Sequence, residues 1–180
     1  MLKKIIILTF IFATPLYFAQ SKKVYKYVGV KKCRMCHRKA KQGEQFKIWK
    51  NSKHSQAYKT LLTKKADSIA AKKGFKTKAA KTPECLKCHV TAYNVKTSLL
   101  EKGYKKEDGV TCESCHGPGS AYKKRKIMKN KKLAVANGLL IYKDHKKLCT
   151  TCHNPDSPTF VARDFDKMWA KIKHNIPKKK

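Results

Sequence analysis

The sequence predicts a mainly α-helical fold, a single domain of helices joined by long loops, and three observations predict it. Apolar residues recur at helical spacing, most clearly where Phe165, Met168, Trp169 and Ile172 fall at i, i+3, i+4 and i+7. Nothing alternates with the period of two expected of a half-buried strand, apart from a short piece near Tyr25 to Val30. All eight cysteines, finally, are used by four Cys-x-x-Cys-His units, each short enough to occupy one helical turn.

In chain order, residues 1–19 read as a signal peptide: Lys3 and Lys4, the apolar run Ile5 to Phe12, then Thr14, Pro15 and a cleavage point after Ala19. Tyr17, at the minus-three position, is larger than the usual small residue, so export is better supported than the cut itself. An uncleaved anchor is the competing reading. Against it, the apolar segment Ile5 to Ala19 is interrupted by Pro15 and falls short of the roughly 20 residues a spanning helix takes. Residues 20–180 suit one domain.

Between the first and second motifs, Gly43 to Lys73 contains good helix formers and few breakers, with Trp49, Ala57, Leu61, Leu62, Ala66 and Ile69 available for burial and Gly74 as the stop. Lys76 to Pro83 reads as a polar connector, and Thr82-Pro83 opens the second motif. After the third motif, Gly117-Pro118-Gly119-Ser120 breaks the chain, and Ser120 is placed to cap a basic helix running to about Lys132. A further helix is expected over Leu139 to Cys149, and a last one over Asp164 to Lys173.

The motifs carry the chemistry. They are Cys33-Arg34-Met35-Cys36-His37, Cys85-Leu86-Lys87-Cys88-His89, Cys112-Glu113-Ser114-Cys115-His116 and Cys149-Thr150-Thr151-Cys152-His153. A shuffled chain of this composition would show about 0.01 copies. Two thiols on one turn can form thioethers to both vinyl groups of a haem, and the adjacent imidazole then becomes the proximal axial ligand. The pattern therefore predicts four haem c groups, with His37, His89, His116 and His153 as proximal ligands. Zinc sites, thioredoxin-like pairs and a disulfide framework would each use such cysteines, but none explains a histidine after every second one. Unequal intervals between motifs exclude a fixed-period repeat.

Composition agrees. Apolar residues make up 41% and charged residues 31%, a thin supply of core that porphyrins would supplement. The formal charge of +33 falls to about +31 without Lys3 and Lys4, and to about +23 with eight ionised propionates. Such a surface favours acidic redox partners and anionic membrane surfaces. The lysines are spread along the chain rather than gathered in one block, which argues against specific nucleic-acid recognition.

Seven histidines less the four proximal ones leave His54, His145 and His174 to serve as sixth ligands for four irons. His54 shares a helical face with Tyr58 and Leu61, and His145 shares one with Ile141 and Leu148. His174 lies opposite the last apolar stripe if that helix continues, whereas a turn at Asn175 and Pro177 would aim it inward. One iron is left to Met, Lys, water or an open position. Met35, Met128 and Met168 offer no specific prompt, so an open or weakly held site is the preferred reading.

These residues resemble the tetrahaem cytochrome c-554 family. The resemblance rests on Tyr27-Val28-Gly29, on Trp49, Ser52, His54 and Ala57, on Cys112 to Gly119 with its Cys-Glu-Ser-Cys-His-Gly-Pro-Gly run, and on Trp169, Ile172, Lys173 and His174. It implies a helical fold wrapped around closely packed haem pairs, with His54, His145 and His174 as distal ligands and a five-coordinate haem on Cys85, Cys88 and His89. The lysine load and the short length depart from the family and bear on the choice of partner. The expected function is periplasmic electron transfer between redox partner proteins. The alternative is an enzyme turning over a small nitrogen species such as nitric oxide, nitrite or hydroxylamine at the open haem. A third, minor reading treats the haems as scaffold for a basic binding protein.

Overall fold

The computed structural model describes residues 23–177, so the signal-peptide expectation for residues 1–19 lies outside the described residues. The architecture is helical, as the periodicity requires. The elements are α1 (Val30–His37), α2 (Gln45–Lys50), α3 (Ala57–Thr60), α4 (Lys64–Lys72), α5 (Pro83–His89), α6 (Cys112–His116), α7 (Arg125–Met128), α8 (Lys131–Ala136), α9 (His145–Thr150) and α10 (Phe165–Ile172). The described residues contain no strand. The alternating piece near Tyr25 makes one isolated bridge, Tyr27 to Leu100, closed by Tyr27 N–H donating to Leu99 at 2.8 Å. Among the described residues no helix is long and apolar enough to cross a membrane.

Every motif sits on a short helix or at its end. α1 ends on the first, α5 on the second, α6 is the third, and α9 enters the fourth through Cys149. Pro83 at the first turn of α5 has the fixed φ a helix start accepts. Behind it, Thr82 is buried at 1% exposure and donates its hydroxyl to Thr77 and Lys78 carbonyls.

Three expected helices are corrected. The stretch Gly43 to Lys73 is broken into α2, a 3-10 turn over Lys53–Gln56, α3 and α4. Ser52 and Ser55 hydroxyls take the carbonyls of Trp49 and Lys50, and Thr63 caps α4 through the Ala66 N–H, so side chains compete for groups a continuous helix needs. Leu62, expected inside, is exposed. Ser120 caps no helix: its hydroxyl accepts from Lys26 N–H at 2.8 Å, and α7 begins only at Arg125. The helix expected from Leu139 starts at His145, because Leu140 N–H is held by the His116 carbonyl at 3.0 Å and Asp144 caps α9 through the Lys147 N–H. Ile141 therefore shares no helix with His145. α10 and the Gly74 stop agree with the sequence, Asp164 capping the former through Asp166 and Lys167.

The core is thin. One cluster joins Leu61, Ala70 and Ala79, with Phe75 and Leu86 packed against it. The largest side chains buried below 2% are only Val28 and Thr82, while Leu133, Val135, Leu140, Ile141 and Tyr142 are exposed. Apolar surface left open beside the motifs suits porphyrin contact.

Candidate haem-binding sites

Three of the four motif imidazoles are oriented by hydrogen bonds. His89 Nδ1 lies 2.7 Å from the Ala57 carbonyl, His37 Nδ1 lies 3.1 Å from Gln45 Oε1, and His116 Nδ1 lies 3.3 Å from the Leu140 carbonyl. Each partner is an acceptor, so the proton sits on Nδ1 and Nε2 is left with the lone pair that iron takes. Burial lowers the pKa of His116 and of His153, and lowers that of His54 with a further push from His153, which keeps these rings in the neutral, ligating form.

Two of the three remaining histidines lie beside motif histidines. The His54 and His153 ring centres are 6.1 Å apart, and those of His116 and His174 are 5.9 Å apart. Two imidazoles bonded to one metal at about 2.0 Å from opposite sides have ring centres about 6 Å apart. Both pairs have the separation that a shared metal would require. His54 owes its place to the 3-10 turn, whose carbonyl accepts from Val110 N–H at 3.1 Å. His174 owes its place to the end of α10 at Ile172, after which Lys173 turns extended at ψ 142°. His145 is elsewhere. Its Nε2 is 2.8 Å from Asp166 Oδ1 and its ring stacks on Trp169 at 5.2 Å, so it faces α10 rather than a proximal histidine.

The motifs also touch one another in a definite sequence. The Cys33 and Cys112 thiols are neighbours: Cys112, with burial, drives the Cys33 thiol upward, and Cys33 pulls Cys112 down against the effect of burial. Cys115, raised to about 11 by burial, also feels Cys149 and Cys152. Cys88 is raised to about 11 by burial and by the neighbouring Cys152, and His89 lies within electrostatic reach of His153. Motif one packs on motif three through α1 and α6, Cys115 lies within electrostatic reach of motif four, and Cys88 and His89 lie within reach of Cys152 and His153. No disulfide joins any of the eight cysteines.

One residue of the site was missed in the sequence. Glu113, at 2% exposure, accepts from Val28 N–H at 2.9 Å, Gly29 N–H at 2.9 Å and Gly119 N–H at 2.8 Å. It ties the start of α1 to the third motif. Gly29 is required beside it: its φ is +81°, and a Cβ there would lie 2.1 Å from the Gly103 carbonyl oxygen. The available signal was that Glu113 is the one acid inside any motif of a strongly basic chain.

Thiol pairs on single turns, neutral imidazoles beside them and a core too thin for its length together define a c-type cytochrome. A family model, "Cytochrome c554 and c-prime", matches residues 32–117, the segment holding the first three motifs. Cytochrome c-554 of Nitrosomonas europaea is 32% identical over 100 residues, covering 54% of this chain and 40% of that protein. Over these segments the chain is similar to cytochrome c-554. It spans less than half the length of this relative, and no solved structure matches it.

Proposed function

We propose that this is an exported, periplasmic cytochrome carrying four haems, which passes single electrons between redox partner proteins in the order of motifs one, three, four and two. The observation carrying this reading is the proximity of the motifs in that order, with α1 packed on α6. His54 and His174 are the distal ligands of the irons on His153 and His116. The family resemblance adds His145 as a third, which by elimination would serve His37. To do so, His145 must leave Asp166 and Trp169.

An acidic partner fits the exposed side of α1. A concavity of about 530 Å³ there is lined by Lys31, Lys32, Met35, Glu101 and Lys102. Glu101 is already paired with Lys123 at 2.8 Å, so the lysines facing the concavity keep their charge for a partner. Met35, 64% exposed, gives this basic rim an apolar centre next to a haem-bearing cysteine.

A second reading has one observation in its favour. Among the described residues no second histidine ring pairs with His89 as His54 does with His153, so an iron held there keeps a face for a small ligand. Intact mass tests the first reading, since the mature chain must carry four haems. Paramagnetic resonance and optical spectra with added nitric oxide or cyanide test the second. Four low-spin irons indifferent to ligand would exclude an open site, while steady turnover would favour an enzyme.

A further inference from the structure

Glu113 is an anion without a cation. Three backbone N–H groups satisfy its oxygens, and it takes part in none of the ion pairs among the described residues. Peptide dipoles stabilise the carboxylate but do not cancel its charge. Out of water, that charge acts on its neighbours with little screening. Its surroundings register this: Glu113 contributes to the upward shifts of Tyr27, Tyr104 and Tyr122, behind burial in each case, and acts on the Cys33 and Cys112 thiols. Every group on that side belongs to motif one, motif three or the segments packed on them.

The other half of the molecule is charged differently. The acids that act on motif two are Glu84 and Asp156, both exposed and so screened by solvent. His153, in motif four, has Arg163 as its charged neighbour, a cation that is exposed and screened in the same way. A ferric haem carries one more positive charge than a ferrous one. A buried anion therefore favours the ferric state and a nearby cation disfavours it.

We propose that Glu113 gives the haem chain its direction, holding the haems at motifs one and three at lower reduction potential than the haem at motif four. The proposal rests on the four-haem reading above. One electron delivered to motif one by a reduced partner protein then runs downhill through motif three to motif four, each iron returning to ferric as the next becomes ferrous. Motifs three and four allow a like-for-like comparison, because each has a histidine on both sides. A difference between them reports surroundings and not ligand type.

The test is a redox titration of the intact holoprotein followed by paramagnetic resonance, with His174→Ala and His54→Ala used to assign the signals of motifs three and four. The haem of motif three is expected to be reduced at lower potential than that of motif four. In Glu113→Gln the potentials at motifs one and three should rise, by at least twice any change at motif four. Equal shifts at all haems, no shift, or motif three above motif four in the unaltered protein would each overturn the role of Glu113. Should the variant fail to fold, the order in the unaltered protein decides alone. Intact mass separates the two failures: fewer than four haems sinks the four-haem reading, whereas four haems in the opposite order sinks only the proposal for Glu113.

Discussion

Replacing Glu113 with alanine removes the acceptor of three N–H groups, those of Val28, Gly29 and Gly119, all in buried residues. A hydrogen bond to a charged group contributes about 1.5–3 kcal/mol, and a buried donor left without a partner costs about 1–3 kcal/mol. Three such donors set an upper limit near 9 kcal/mol, but the space vacated by the side chain admits water that recovers part of it. We expect a loss of about 3–6 kcal/mol, a large share of the roughly 5–15 kcal/mol that holds a domain folded. Glu113→Gln should lose about half as much. Its amide oxygen can still accept from Gly119 and Val28, and only Gly29 then faces an N–H of the same kind. The assay is guanidinium unfolding of the holoprotein followed by far-ultraviolet circular dichroism, with Glu101→Ala as control. Glu101 pairs with Lys123 at about 30% exposure on each side, a site where loss of the ion pair costs under about 1 kcal/mol. A Glu113→Ala loss no larger than that of the control would refute the view that this carboxylate joins motif one to motif three.

Further outcomes follow from the same geometry. His54→Ala and His174→Ala should each convert one low-spin iron to high-spin, read by paramagnetic resonance, because each removes the ring opposite a proximal histidine; an unchanged low-spin count in either variant would cancel that assignment. His145→Ala should convert a third low-spin iron, that on His37, to high-spin, so that two irons respond to cyanide in the variant where one does in the unaltered protein; two responsive irons already in the unaltered protein would cancel the assignment of His145 to His37 and leave it with Asp166. Gly29→Ala should destabilise the fold by more than about 2 kcal/mol in the same unfolding assay, since its backbone is left-handed and the new methyl meets the Gly103 carbonyl. Tyr104, raised to about 12 by burial and then by Glu107 and Glu113, donates its hydroxyl to the Thr91 carbonyl. A folded-state pKa above the unfolded value means stabilisation that is complete below pH 10 and lost as pH rises toward 12, and Tyr104→Phe should flatten stability over that window.

What was legible in the sequence was local. A Cys-x-x-Cys-His unit fills one helical turn wherever it occurs, and α10 is written in an apolar stripe behind Asp164, so both could be read from a few adjacent residues. The breaks between residues 50 and 64 turn on which carbonyls Ser52 and Ser55 capture, a competition that propensity alone does not decide. Ser120 was given a cap's role because it follows a Gly-Pro-Gly run, yet its partner is Lys26, 94 positions away. The donors to Glu113 from the start of α1 are 84 and 85 positions away. Counting histidines leaves three for the four irons that the motifs predict, but only the fold separates His54 and His174, each beside a motif histidine, from His145, which Asp166 and Trp169 hold.

The same long-range contacts connect stability to function. Glu113 holds the first motif against the third through backbone donors, which is why the carboxylate can be buried without a cation. That missing cation leaves its charge free to act on the nearest haems. A lysine in its place would lose the three N–H bonds, and a lysine beside it would keep the bonds but cancel the field. In a chain with 44 lysines and arginines, an uncompensated acid at 2% exposure is therefore where architecture and redox tuning meet. The surface lysines can be exchanged widely at the cost of partner affinity, whereas Glu113 cannot be exchanged without altering both the contact of the first two haems in the relay and the direction in which they pass charge.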